Sequence, residues 1–147
     1  MLRRLAEVGI STEKLLLVYT SKIRVFVEMN SPLWMFSITE KTRKKIEKLQ
    51  KTSIYIILGK YAKNDYFYNL ALLDIETLEE RRQRRAIKFS VNILKHPQHR
   101  KMFVYTDSDK TRAGKKVVIP SCKTARYEKS TIPALAKIIN EKLTHKI

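Results

Sequence analysis

Apolar and polar residues follow one another along this chain at helical rather than strand spacing. Leu15, Tyr19, Ile23, Phe26 and Val27 recur every three or four positions, so they make one apolar face of a helix that Ser11 or Thr12 can cap and Asn30-Ser31-Pro32 ends. A second helix is predicted to start at Thr39, whose hydroxyl can accept from an unpaired first-turn amide, with Glu40 in its first turn. Ile46, Leu49, Ser53, Ile56 and Ile57 form its packing face, and Gly59 stands where a C-terminal glycine belongs. Between these helices, Leu33-Trp34-Met35-Phe36 reads as an apolar connector buried among them. Residues 60–65 read as a polar linker and residues 66–73 as a short docking helix.

The longest patterned run lies between Glu76 and Pro97. Thr77 and Glu80 stand three apart, the spacing at which each side chain can bond the other's amide. Glu76, Glu79 and Glu80 crowd the positive end of the helix dipole, and Pro97 stops the helix because the residue before a proline avoids the α region. Ala86, Phe89, Ser90, Ile93 and Leu94 fall on a packing face; Arg81, Arg84, Arg85, Lys88 and Lys95 fall on another. Beyond Pro97 the texture changes. Residues 106–116 are polar and basic, an ordered-on-binding loop or plain disorder, and residues 117–120 read as extended. Thr131-Ile132-Pro133 opens a last helix with an apolar stripe of Leu135, Ile138, Ile139 and Leu143. The expected fold is mainly α: a small helical bundle over residues 1–101, then an irregular basic arm with a C-terminal amphipathic helix over residues 102–147.

Charge narrows the field. In 147 residues, 31 lysines and arginines face 14 acids, a formal charge of +17 that repels itself and needs a reason. A polyanionic nucleic acid is favoured over an anionic membrane surface or mere solubility. The lysines at 41, 44, 45, 48 and 51 cluster opposite the second helix's packing face, which repeats the pattern of the later arginine stripe. The aromatics Tyr55, Tyr61, Tyr66, Phe67, Tyr68, Tyr105 and Tyr127 could stack on unpaired bases, although packing is the commoner use of each. Cys122 is alone and forms no intrachain disulfide. The run Leu15-Leu16-Leu17-Val18 is too short to span a bilayer, and no signal peptide is recognisable; the expected location is cytoplasmic or nuclear, not secreted, with no membrane partner.

The sequence carries few residue patterns that could do chemistry. Three scattered glycines make no phosphate loop. His96, His99 and Cys122 could in principle bind zinc or form a nucleophile pair, but Pro97 interrupts the histidines and nothing around Cys122 activates it. Tyr105-Thr106-Asp107-Ser108-Asp109 invites comparison with the aromatic-x-Asp-Asp motif of polymerases, yet Ser108 stands where the second aspartate is required. No catalytic residue, metal or cofactor is assigned.

The order of segments is itself informative. Glu13-Lys14-Leu15-Leu16-Leu17-Val18-Tyr19, then Ile23-Arg24, Glu28 and Ser31-Pro32-Leu33-Trp34, Ile46-Glu47-Lys48-Leu49-Gln50-Lys51 followed by Ile56-Ile57-Leu58-Gly59, residues 72–82 with Lys88-Phe89, and residues 120–133 with Asn140 together resemble the post-palm region of non-LTR (LINE-type) retrotransposon reverse transcriptases. The resemblance implies a chain similar to the thumb and following C-terminal region of an RNA-directed DNA polymerase. That region grips the template–primer duplex behind the active site; fingers, palm and catalytic aspartates fall outside the matched stretches, so no enzyme activity is expected of the chain alone. It implies phosphate contacts from Lys44, Lys48, Lys51, Arg81, Arg84, Arg85 and Lys88. The implied partners are an RNA–DNA hybrid or duplex and the missing polymerase palm. Two other readings stand beside it: a helix-packing interaction module with Trp34 and Phe36 as exposed anchors, and a translated relic of a retroelement with no function.

Overall fold

The computed structural model describes residues 1–106 and 116–144, with backbone alone at 143 and 144. The Asp107-Ser108-Asp109 stretch, most of the basic loop predicted between 106 and 116, and the Leu143 side chain lie outside the described residues. The chain is mainly helical, as the periodicity predicts. In order come α1 (Leu2–Glu7), α2 (Thr12–Val18), a π-helical turn (Tyr19–Arg24), α3 (Val25–Glu28), α4 (Ser31–Trp34) and α5 (Glu40–Leu58). A short 3-10 turn (Gly59–Tyr61), α6 (Tyr66–Leu72), α7 (Leu78–Lys95), α8 (Pro97–Arg100), α9 (Ala125–Glu128) and α10 (Thr131–Thr144) follow. Two compact units form: residues 1–29 with 39–81, and residues 30–38 with 82 onward.

The first unit packs α1, α2 and α5 around buried Leu2, Leu15, Tyr19 and Ile57, with a second cluster of Ile54, Leu58 and Leu70 where α6 meets α5. α1 has no counterpart in the sequence pattern; buried Leu2 anchors it. The helical stretch from α2 to α3 departs from the predicted face. A 3.6-residue period turns Phe26 inward, yet Phe26 is 75% exposed and Glu28 is 1% exposed. The π-helical turn before both residues explains the change, because it takes up about one extra residue and rotates everything after it. Thr20 and Ser21 donate their hydroxyls to the Leu17 carbonyl at 3.1 and 2.6 Å, a side-chain competition with main-chain bonds that favours such irregularity.

α5 begins and ends as predicted: the Thr42 amide donates to the Thr39 hydroxyl, and Gly59 closes the helix at φ 53°. Of its predicted face, Ser53 and Ile57 are buried and Ile46 and Ile56 half-buried, but Leu49 lies 40% exposed, and Gln50, Ile54 and Leu58 are buried as well. Hydrogen bonds explain why Gln50 is buried where Leu49 was expected. The Tyr19 hydroxyl donates to Gln50 Oε1 at 2.7 Å and Gln50 Nε2 donates to the Glu76 carbonyl at 2.8 Å, so a fully buried amide is satisfied on both sides. In the predicted linker, Asp65 accepts from the Phe67 and Tyr68 amides and caps α6. Buried Asn69 accepts from the Lys63 amide at 2.9 Å and donates to the Lys63 carbonyl at 2.7 Å, bracing one loop residue on both its backbone groups.

α7 opens with the predicted reciprocal cap: the Glu80 amide donates to the Thr77 hydroxyl, and the Thr77 amide and hydroxyl donate to the Glu80 carboxylate. The helix stops at Lys95, two residues before Pro97. Along its course through the second unit, Ala86, Ser90 and Ile93 are buried and Phe89 and Leu94 half-buried, as the spacing predicts. Ile93 shares a core with Phe103, Val117, Leu135, Ala136 and Ile139. Position 102, where a separate arm was expected to begin, therefore lies inside this unit. Tyr105 and Val117 form an antiparallel bridge, supported by the Thr106 amide on the Lys116 carbonyl (2.8 Å) and the Val118 amide on the Val104 carbonyl (2.7 Å). Asn140 of α10 repeats the Asn69 device: it accepts from the Val117 amide and donates to the Val117 carbonyl, each at 2.9 Å. The Thr131 hydroxyl donates to the Leu33 carbonyl at 2.5 Å, tying α10 to α4.

Candidate nucleic-acid interface

On α5, Lys44, Lys48 and Lys51 are exposed and recur at spacings of four and three, so they share one outward strip of the helix, as the sequence predicts. No ion pair is recorded for any of them among the described residues. Arg43, just before Lys44 in sequence, is half-buried and lies 4.0 Å from Glu40 and 3.8 Å from Glu79. Position on the helix thus separates a structural arginine from three solvent-facing lysines.

On α7 the predicted cations divide in a similar way. Arg84, Arg85 and Lys88 are exposed. Arg81 is half-buried and committed: its Nε donates to Glu28 Oε1 at 2.6 Å and its Nη2 to Glu28 Oε2 at 3.2 Å, a two-pronged bond onto a carboxylate that is 1% exposed. Glu76 adds a carboxylate 3.9 Å from Nη1. The hydrogen bond Arg81 donates to Glu28, more than the charge of that carboxylate, raises the Arg81 pKa further above its usual value. Arg82, the next residue, is buried on the same side as Ala86 and Ser90. Sequence spacing did not single out Glu28 or Arg82. The missing signal for Glu28 is the π-helical turn, which no residue pattern announces; Arg82 stands four residues before Ala86, a spacing that carries it onto the packing face.

A groove of about 310 Å³ opens in the second unit. Pro32, Leu33 and Phe89 make its apolar lining, Arg85 and Lys88 its cations, and Asn30 and Asn92 its amides. Asn30 holds a left-handed backbone, φ 53° and ψ 24°, at the start of α4 and makes no side-chain bond to that helix.

The aromatics sort by exposure. Phe67 is 70% and Tyr61 66% exposed, and the lysine nitrogens of Lys60 and Lys63 lie 5.3 and 4.1 Å from the rings of Tyr61 and Tyr68. Tyr55, Tyr66 and Tyr105 are half-buried. Tyr66 donates to Glu47 at 2.5 Å, and burial, reinforced by that bond, pushes its phenol well above the ordinary tyrosine value; burial does the same to Tyr19. Trp34 and Phe36 are half-buried rather than exposed, and Phe36 packs on the second unit's core. The His96 and His99 rings stand 5.5 Å apart across Pro97, and Cys122 donates to the Pro120 carbonyl. Among the described residues no three His, Cys, Asp or Glu side chains gather as a metal site would require.

No family model, curated protein or solved structure matches this chain. Among the described residues no helix is long and apolar enough to cross a membrane.

Proposed function

We propose that this chain grips a template–primer duplex through its phosphates, in the manner of the reverse-transcriptase thumb region it resembles, with Lys44, Lys48, Lys51, Arg84, Arg85 and Lys88 as the contacts. Arg81 is left out of the set because Glu28 already holds its guanidinium. One observation carries the reading: in a chain of formal charge +17, these cations sit exposed at helical spacing on long helices. Contacts of this kind position a duplex without reading its sequence. No catalytic step is assigned to any residue.

The test is the salt dependence of affinity for an RNA–DNA primer–template hybrid and for a DNA duplex of unrelated sequence. Six phosphate contacts contribute about −5.4 to the log–log slope on B-form DNA. A steep slope, shared by unrelated sequences, is expected. A flat response, or no affinity at all, would refute the reading. The rival module needs exposed anchors at Trp34 and Phe36, and the half-burial of both argues against it.

A further inference from the structure

The groove beside α7 offers more than a duplex backbone needs. Arg85 and Lys88 alone would serve a phosphate, yet they stand over an apolar lining of Pro32, Leu33 and Phe89. A base has an apolar face and a polar edge, and amides from Asn30 and Asn92 border the same space. We propose that this groove takes one unpaired nucleotide next to the duplex, its base against Leu33, Pro32 and Phe89 and its phosphate toward Arg85 and Lys88. The proposal rests on the phosphate-binding reading above and names a second, single-stranded subsite for it.

Three features favour that occupant. Volume is the first: about 310 Å³ is at the small end of the roughly 300–1,000 Å³ of small-molecule sites, enough for one nucleotide. Charge is the second, because the polar side chains lining the groove are cationic or neutral. A second groove of about 330 Å³, lined by Phe36, Ile87 and Ile138, carries Glu141 next to Lys142, so its charged lining is mixed where that of the first is purely cationic. Third is Asn30. Its φ of 53° is a conformation that glycine adopts without penalty, so the backbone alone gives no reason for a side chain there. Asparagine is among the few side chains that tolerate it, and here the amide makes no cap bond and borders the groove.

The experiment compares three probes with the full chain: a blunt hybrid, the same hybrid with a one-nucleotide overhang, and that hybrid with an abasic overhang. Expected is an affinity about tenfold higher for the overhang carrying a base than for the abasic one, the size of a single stacking contact. Leu33→Ala and Asn92→Ala, both at exposed positions, should erase that preference and leave blunt-hybrid affinity and melting temperature unchanged. Lys88→Ala should weaken all three probes. Equal affinity for base and abasic overhangs, with salt-sensitive duplex binding intact, would overturn this proposal and spare the duplex reading. Absence of binding to every probe would overturn both.

Discussion

Removing the Arg81 guanidinium should unfold the first unit's polar seam rather than weaken a contact with ligand. Arg81→Ala strips two charge-assisted hydrogen bonds, at 2.6 and 3.2 Å, from a Glu28 carboxylate that water barely reaches. Breaking one side of a buried pair costs about 3–5 kcal/mol, since the remaining charge stays in a poorly solvating place. Against a total stability of about 5–15 kcal/mol that is a large share. For a chain of this size it corresponds to a fall in Tm of about 10–20 °C. Urea unfolding and thermal melting measure it directly. Arg84→Ala and Arg85→Ala, at exposed positions on the same helix, should each stay within about 0.5 kcal/mol.

A double-mutant cycle with Glu28→Met and Arg81→Met separates the pair's own coupling from general damage. The double variant should regain most of what either single change loses, because two apolar side chains leave no buried charge behind. If Arg81→Ala costs under about 1 kcal/mol, the size of an exposed ion pair, the Glu28 carboxylate is hydrated in solution and the structural role assigned to Arg81 fails.

Two further outcomes follow from the buried polar groups. Tyr19 and Tyr66 hold their protons above the usual value, whereas an unfolded tyrosine releases its proton near pH 10. Their contribution is therefore complete below about pH 10 and is lost as pH rises toward the folded values, at up to about 1.4 kcal/mol per pH unit for each. The urea midpoint should fall between pH 9 and 11 and fall less steeply in Tyr19→Phe and Tyr66→Phe; equal slopes in all three proteins would contradict the assignment. Asn140→Ala leaves both backbone groups of buried Val117 without their side-chain partner, at a cost of about 1–3 kcal/mol. Hydrogen exchange at the Thr106 and Val118 amides should speed up with it, and unchanged exchange would show that the bridge holds without Asn140.

The elements legible in the sequence are those with local causes. The caps at Thr39 and Thr77, the stop before Pro97 and the packing row of Ala86, Phe89, Ser90, Ile93 and Leu94 depend on neighbours within a turn or two, and each is found. Errors arise where partners distant in sequence reverse a side chain's preference. Gln50 is buried and Leu49 exposed because Tyr19 and the Glu76 carbonyl satisfy the amide from 31 and 26 residues away. Glu28 is buried because Arg81 meets it from 53 residues away, after the π-helical turn has rotated the helix. On either side of position 102, Ile93, Phe103 and Val117 share one core, a packing that no local pattern announces. Of the candidate site, the spacing of Lys44, Lys48 and Lys51 was legible; the groove at Asn30 and Leu33 was not, since it needs α4 brought beside α7.

Which cations bind phosphate depends on what each already holds. A cation already held by a buried carboxylate neutralises no phosphate, so it releases none of the duplex's condensed counterions and adds nothing to the salt slope, whereas an exposed lysine at a phosphate contributes about 0.9. Arg81 and Lys48 are therefore predicted to differ sharply, although the charge pattern treats them alike. In the Glu28→Met, Arg81→Met double variant, which leaves no buried charge unmatched, the magnitude of the slope should equal that of the unaltered chain. In Lys48→Ala it should drop by about 0.9, with Tm unchanged because Lys48 is exposed. If the double variant instead loses as much slope as Lys48→Ala, Arg81 exchanges Glu28 for a phosphate when the duplex binds, and the division between structural and ligand-facing cations on these helices does not hold.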